Sequence, residues 1–335
     1  MGMRAVCAMV AFTGTSSALA VVEPLPLACP DALKVNFFGD FFVTQDRLRK
    51  NAFEPIQPLL DWAHFNVVNF EGTVTTSQER AFPEMPFALK MSPDAAKLLD
   101  VAGIRHVTRG NNHSMDFGLR GMLDTSAALA AAGVHFVGVG KNVDEALVPL
   151  ILKHDKTRLA LHSFAAVYPD GAWASSTRPG VVYPVPERMQ MALAASRERN
   201  DFVATSFHWG GERTLEIRDY QKTLAKIAAD KGVDLVFGHH AHMAQGIESV
   251  QGVPVLWGLG NFLFTSYGSG DTLSLGLITQ FCGATSGRKA SMTWAVVPFH
   301  TGSEAAMLAL RPLDLAAFQR LATRGWRDRA LSLSI

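Results

Sequence analysis

The residues with the greatest chemical potential lie at Gly238-His239-His240-Ala241-His242, directly after the apolar run Val233-Asp234-Leu235-Val236-Phe237. Three imidazoles within four positions, at the end of a predicted buried strand, are what a metal site needs. Neutral imidazole nitrogen suits Zn, Mn or Fe. Gly238 is expected to let the backbone bend so that His240 and His242 turn toward one ion. Other polar residues obey the same rule of position: Asp40, Glu71, Asn112-His113 and His208 each follow an apolar run. In α/β sheets, loops after strand carboxyl ends converge on one edge, where ligand sites form. Segments delivering Asp, Glu, Asn and His to one rim predict a binuclear metal centre of mixed oxygen and nitrogen ligands.

The hydrophobic pattern shows which elements must carry these residues. Strands are predicted at residues 33–38, 65–70, 105–108, 134–137, 150–153, 158–164, 202–207 and 253–257, with an antiparallel finish at 273–281 and 292–299. Helices alternate with them. Ser92-Pro93-Asp94 reads as a capped helix start and Gly103 as its stop. Leu119, Met122, Leu123 and Leu129 have helical spacing before Gly133, and Leu224, Ile227 and Ala228 share one face before Gly232. The loops 73–86 and 168–180 are long and rich in Pro, Gly or Ser, which suits binding loops or plain surface connections.

Composition narrows the function. The chain has 335 residues, 48% hydrophobic and 18% charged, so a large core is expected. With 31 Lys and Arg against 30 Asp and Glu, no global field marks a nucleic-acid or membrane-surface binder. Cys7, Cys29 and Cys282 show no metal-ligand spacing and suggest no disulfide framework. Arg4, the apolar run 5–12 and Ala18-Leu19-Ala20 have the layout of a secretory signal peptide, or of an N-terminal arm if residues 1–22 are retained in a cytoplasmic protein. No later segment has the ~18 uninterrupted apolar residues that span a bilayer.

Taken singly, several of these residues have ordinary explanations. Asp40 after Gly39 suits a turn, Asn111-Asn112 suits an Asx turn, and His113 suits a structural histidine. Glu71 is harder to dismiss, because a carboxylate ending an apolar strand must be paired or bound. His64, His106, His135, His154, His162 and His300 sit in no such cluster and read as ordinary.

Taken in order, GD (39–40), NFEGT (69–73), GNNHSMDFG (110–118), HWGGE (208–212), GHHAHMAQGIE (238–248) and GLGNFLF (258–264) resemble the CapA family. That family is associated with bacterial capsule and poly-γ-glutamate synthesis and lies within the calcineurin-like metallophosphatase superfamily. The resemblance implies a four-layer α/β/β/α sandwich over 33–300, after a leader at 1–32 and before a C-terminal helical extension at 301–335. It implies Asp40, Glu71, Asn112, His208, His240 and His242 as ligands of one or two divalent ions, Mn, Fe or Zn, with Glu71 bridging. His113 matches the proton donor and Asp116 the acid that orients it, while His239 lies one place too early. Ordinary superfamily members carry D-x-H at the first motif, and here Phe42 stands in place of that His. One ion would then have Asp40, Glu71 and His242, and the other Glu71, Asn112, His208 and His240, so the first site is expected to be weaker.

Arg109, Arg213 and Arg218 flank these motifs and Asn261 lies within the last of them; all four are expected to hold anionic substrate groups, or the arginines to be solvated surface charges. The resemblance implies a metal-dependent hydrolase or transferase acting on a phosphoester or on an anionic polymer or peptide precursor; the signal-peptide layout of the N-terminus adds an expected extracytoplasmic location. The resemblance allows two alternatives: a non-catalytic scaffold in an envelope biosynthesis complex, and a peptide Cα epimerase.

Overall fold

The computed structural model describes residues 7–9, 25, 27–44, 53–167, 169–265 and 272–301. Two sheets dominate it. The first begins with four parallel strands, Leu33–Phe42 (β1), Phe65–Phe70 (β2), His106–Thr108 (β3) and His135–Val137 (β4). The second contains Leu150–His154 (β5), Thr157–Ala165 (β6), Phe202–His208 (β7), Leu235–His239 (β8), Ile247–Val250 (β9) and Val253–Leu256 (β10), in the order β9-β10-β8-β7-β6-β5. The chain then returns to the first sheet. Asn261–Phe264 (β11) pairs with β1, and Thr272–Cys282 (β12) and Ser291–Thr301 (β13) add antiparallel strands beyond it. Cys7–Met9 lies parallel to β13 at the outer edge.

Both sheets are covered on both faces, which is why their strands read as nearly continuous apolar runs. Between the sheets, Val35, Phe37 and Val67 of the first meet Leu161, Ala204, Leu235 and Phe237 of the second. The Phe37 and Phe237 rings are 4.7 Å apart. The helices Gln57–Trp62 (α1), Asp94–Val101 (α2) and Gly118–Ala131 (α3) belong to the layer outside the first sheet, where Leu59, Leu99 and Leu129 pack with Phe38, Val68 and Phe70. Pro186–Arg199 (α4) and Asp219–Asp230 (α5) cover the second through Met189, Leu193, Leu224 and Ala228. The result is the expected α/β/β/α sandwich.

Three local expectations differ from what is seen. Helix α4 was not apparent from its pattern, because charged and polar residues occupy most of its surface and only Met189, Leu193 and Ser196 are buried. The start of α2 has no side-chain cap, and Pro93 rather than Ser92 stands at the capping position. Cys29 and Cys282 form a disulfide across a sequence separation of 253, correcting the expectation of none. Antiparallel pairing sets Phe281 opposite Leu33, and that register brings the two sulfurs together, which sequence spacing alone cannot reveal. The C-terminal extension predicted at 301–335 lies outside the described residues beyond Thr301, as does the predicted leader apart from Cys7–Met9, Leu25 and 27–32.

Candidate metal centre

A β-bulge aims the first carboxylate. The register between β1 and β2 shifts between Phe37 and Asp40, which turns Asp40 to the rim instead of into a hydrophobic layer. Gly39 is required beside it: a Cβ there would lie 1.8 Å from the Gly260 carbonyl oxygen, to which the Asp40 N–H donates at 2.9 Å. Glu71 follows the end of β2, and His208 ends β7. The loop after β8 carries His240 and His242 with left-handed backbones, φ 86° and 54°. Such angles are uncommon for residues with a Cβ and cluster where function over-determines them. Gly238 is not the hinge expected. It lies inside β8, and its missing Cβ makes room for the Trp257 carbonyl oxygen, which a methyl would meet at 1.9 Å.

These elements bring the scattered donors together. Among the described residues two groups could each hold a cation, Glu71 with His208 and His240, and Asp40 with Glu71 and His242. Within each group the ligand atoms lie within 4.8 Å of one another. His240 and His242 therefore fall in different groups, not together in one. Glu71 Oε1 faces both, 3.6 Å from His208 Nε2 and 3.8 Å from His242 Nε2. The ring nitrogens His240 Nδ1 and His208 Nε2 approach to 3.1 Å. Asn112 lines one cavity together with His240.

The donor set fits a divalent cation. Glu71 Oε1 and Asn112 Oδ1 are buried and have no hydrogen-bond partner among the described residues. Orphaned buried acceptors are costly unless something occupies their lone pairs. The charge balance agrees. Burial pushes the Glu71 carboxyl well above its usual range, and the Asp40 charge adds to this. Burial acts on Asp40 in the same direction, yet His239 and His242 outweigh it and hold that carboxyl well below its usual range. Burial, with the neighbouring His240, pushes His208 far down, and burial with His242 takes His240 to about 3. Burial opposes a proton on His242 too, but Glu71, Asp40 and Asn261 reverse this and raise it to about 9. These carboxylate and imidazole groups thus compete for protons that a cation would displace.

His113 Nδ1 donates to Asp116 Oδ2 at 2.8 Å, and the same oxygen accepts from the Leu89 N–H at 2.6 Å. The expected Asx turn is present as well: Asn111 Oδ1 accepts from the His113 N–H at 3.2 Å. Asp40, Glu71 and His208 are fully buried, whereas Asn112, His113, Asp116, His240 and His242 keep 6% to 8% exposure, so the cluster opens to solvent on their side.

The flanking residues fare differently. Arg109 does not face the rim. Its guanidinium is fully buried, with Nη1 donating to Ser126 Oγ at 2.9 Å and Cζ 5.2 Å from the centre of the Phe136 ring, and burial lowers it to about 9. Its expected hold on substrate is corrected accordingly. Asn261 accepts from His242 Nδ1 at 2.9 Å, which makes it an orienting group for that imidazole. Arg213 is exposed at φ 51°, and its N–H donates to the Ala241 carbonyl.

Sequence reasoning missed two supporting residues. Asn69 Nδ2 donates to Asp40 Oδ1 at 2.8 Å and lies 3.4 Å from His208 Nδ1, while its Oδ1 accepts from Asn111 Nδ2 at 3.0 Å. His239 Nδ1 sits 3.0 Å from Asp40 Oδ1. Asn69 was within reach of the sequence, since an amide two residues before a strand-end Glu lands on the same face. Among the other histidines, His64 stacks on His154 with ring centres 3.6 Å apart, and buried His162 meets Ser196 Oγ at 2.8 Å. The side chain of His300 lies outside the described residues.

Comparison with known proteins matches this arrangement to a family. The profile described as bacterial capsule synthesis protein PGA_cap matches residues 34–266. A PGA biosynthesis protein CapA from Bacillus subtilis is 28% identical over 242 residues, covering 70% of this chain and 64% of that relative. The chain therefore spans just under two thirds of that protein's length. Two solved structures share the fold. A putative 5'-nucleotidase from Staphylococcus aureus gives a TM-score of 0.52 at 14% identity, over 86% of this chain and 57% of that one. A phosphatase from Mycoplasma pneumoniae gives 0.51 at 12% identity, over 82% and 96%. At such identities the likeness concerns architecture alone.

Proposed function

Because the chain belongs to the bacterial capsule synthesis family PGA_cap, we propose that it is a metal-dependent hydrolase acting on an anionic polymer or peptide precursor of the bacterial envelope. The observation that carries this is the pair of ligand groups sharing Glu71, whose Oε1 has no hydrogen-bond partner among the described residues. Asp40, Glu71 and His242 would hold one cation, and Glu71, Asn112, His208 and His240 the other. A divalent cation there supplies a Lewis acid and a nucleophilic water at neutral pH. The chain's own residues do the rest. Asp116 accepts from His113 Nδ1, so it orients the ring and favours the doubly protonated imidazolium, whose Nε2 proton would pass to the departing oxygen or nitrogen and leave the neutral Nδ1–H form. Asn69 and Asn261 hold Asp40 and His242 in place, so that little rearrangement is needed when the bond breaks.

The disulfide favours an extracytoplasmic location, since such bonds persist in oxidising compartments. Among the described residues no helix is long and apolar enough to cross a membrane.

Metal analysis of the purified protein, combined with Asp40→Ala and His240→Ala, tests the assignment. Near-stoichiometric Mn, Fe or Zn, with both variants losing metal, polymer output and phosphomonoester or amide turnover, is the expected result. A metal-free protein that still restores polymer output in a deletion strain would make it a scaffold. Deuterium uptake from heavy water into a peptide without cleavage would make it an epimerase.

A further inference from the structure

A cavity of about 450 Å³ opens beside the ligand cluster, with Asn112 and His240 in its wall. Both long loops singled out in the sequence reach it, through Met85 and Trp173. Trp173 and Tyr183 stack with ring centres 3.9 Å apart and form a flat apolar side. Opposite in sign, Arg218 and Glu212 also line it. Among the described residues neither has an ion-pair partner, and neither neutralises the other. Arg218 bears electrostatically on His240, and Glu212 on Glu71, so both charges lie close to the cluster.

The wall that carries them is preformed. Gly210 turns with φ 86°, and its N–H donates to Tyr220 Oη at 2.6 Å. The Arg218 N–H donates to buried Gln221 Oε1 at 2.9 Å. The guanidinium lies over Gly211, where a Cβ would come within 2.9 Å of Nη2. Glycine at 211 thus leaves the space that the guanidinium fills.

One cation, one anion and an aromatic side lining one cavity match a particular chemical unit. A phosphate monoester or an inner polyanion segment would use the arginine but be repelled by the carboxylate. A carbon bearing both a free ammonium and a free carboxylate uses both. In an α-linked peptide no residue keeps both groups free, whereas the amino-terminal unit of a γ-linked chain does. We propose that this cavity is a subsite for a zwitterionic α-amino-acid head, with Arg218 taking its carboxylate and Glu212 its ammonium, which directs the enzyme to the amino end of a γ-linked chain. The claim of end-directed cleavage rests on the hydrolase assignment; the binding claim does not.

Calorimetry on the full chain tests it with three probes: a γ-linked glutamate dimer, its N-acetylated form and the α-linked dimer. The γ-linked dimer should bind about 10-fold or more tightly than the other two, as expected for losing one charge-assisted contact. Arg218→Gln and Glu212→Gln should each weaken it by about 10- to 100-fold and erase the preference. Both side chains are exposed, so these variants will fold. Gly211→Ala, which displaces the guanidinium without removing its charge, should do the same to a lesser degree. Equal binding of the three probes, or no loss in either Gln variant, would overturn the subsite. Repeating the titration on chelator-treated protein separates the two assignments. A preference that persists in a protein found to bind no metal sustains the subsite and defeats the hydrolase; turnover without preference does the reverse.

Discussion

Behind His208 and His240 lies a polar network, while behind His242 lies an aromatic one. Asn69 lies 3.4 Å from His208 Nδ1, and Asn111 bonds to Asn69. His242 packs on Phe264 with ring centres 4.6 Å apart, and Phe264 packs on Phe42 at 5.3 Å. Each half of the cluster borrows Glu71. The first half has a further unpartnered oxygen at Asn112, in the same cavity wall as His240; the second is backed by Phe264 and Phe42, which offer no donor. The difference teaches that fold and ligand count are separable. The same strand end serves either way: a phenyl at position 42 supplies packing and no donor, so a cation held by that half would have fewer bonds and weaker retention.

The comparison can be broken most severely at the shared residue. Glu71→Gln should abolish metal uptake by both halves and cost turnover more than the about 100-fold typical of a supporting residue; metal analysis showing one retained equivalent would mean that the halves do not share it. Asn69→Ala should weaken binding by about 10- to 100-fold at the His208 side and loosen Asp40 as well, read by competition with a chelator. Phe42→His sharpens the contrast from the other direction. It should raise affinity for the second equivalent by about tenfold, at a cost of about 1–3 kcal/mol for a polar group in an aromatic layer, measured by metal titration and thermal melting.

The smallest effect is on pH dependence. His242, raised to about 9, must shed its proton before it can bind a cation, whereas His240, lowered to about 3, is already neutral at pH 7. Affinity at the Asp40 half should therefore gain a little under tenfold between pH 7.5 and 8.5, beyond any change shared through Glu71. In metal-free protein the sign is opposite. A raised histidine contributes stability that is complete below about 6.5 and disappears as pH rises through about 9. Thermal melts of chelated protein that stay flat across that window would contradict the proton on His242.

Much of the cluster was legible in the sequence because its donors follow apolar runs, and a strand end is a local feature. The strand at Phe65–Phe70 and the helix ending before Gly133 were likewise readable from period and punctuation. The residues that escaped did so for non-local reasons. Arg109 flanks a metal motif yet turns inward to Ser126, because it follows β3 on the face covered by α3. Helix α4 hid because three buried side chains suffice to seat it.

The order and chemistry of the donors, the alternation of strands with helices, and the phenyl at position 42 are properties of the sequence by itself, since each is set by residues a few positions apart. Which donor faces which neighbour was decided only in three dimensions. The bulge before Asp40, the left-handed backbones of His240 and His242, and the register joining Cys29 to Cys282 depend on strands distant in the chain. A side chain's direction at a strand end is fixed by the partners packed around it, and those partners are chosen by the whole fold.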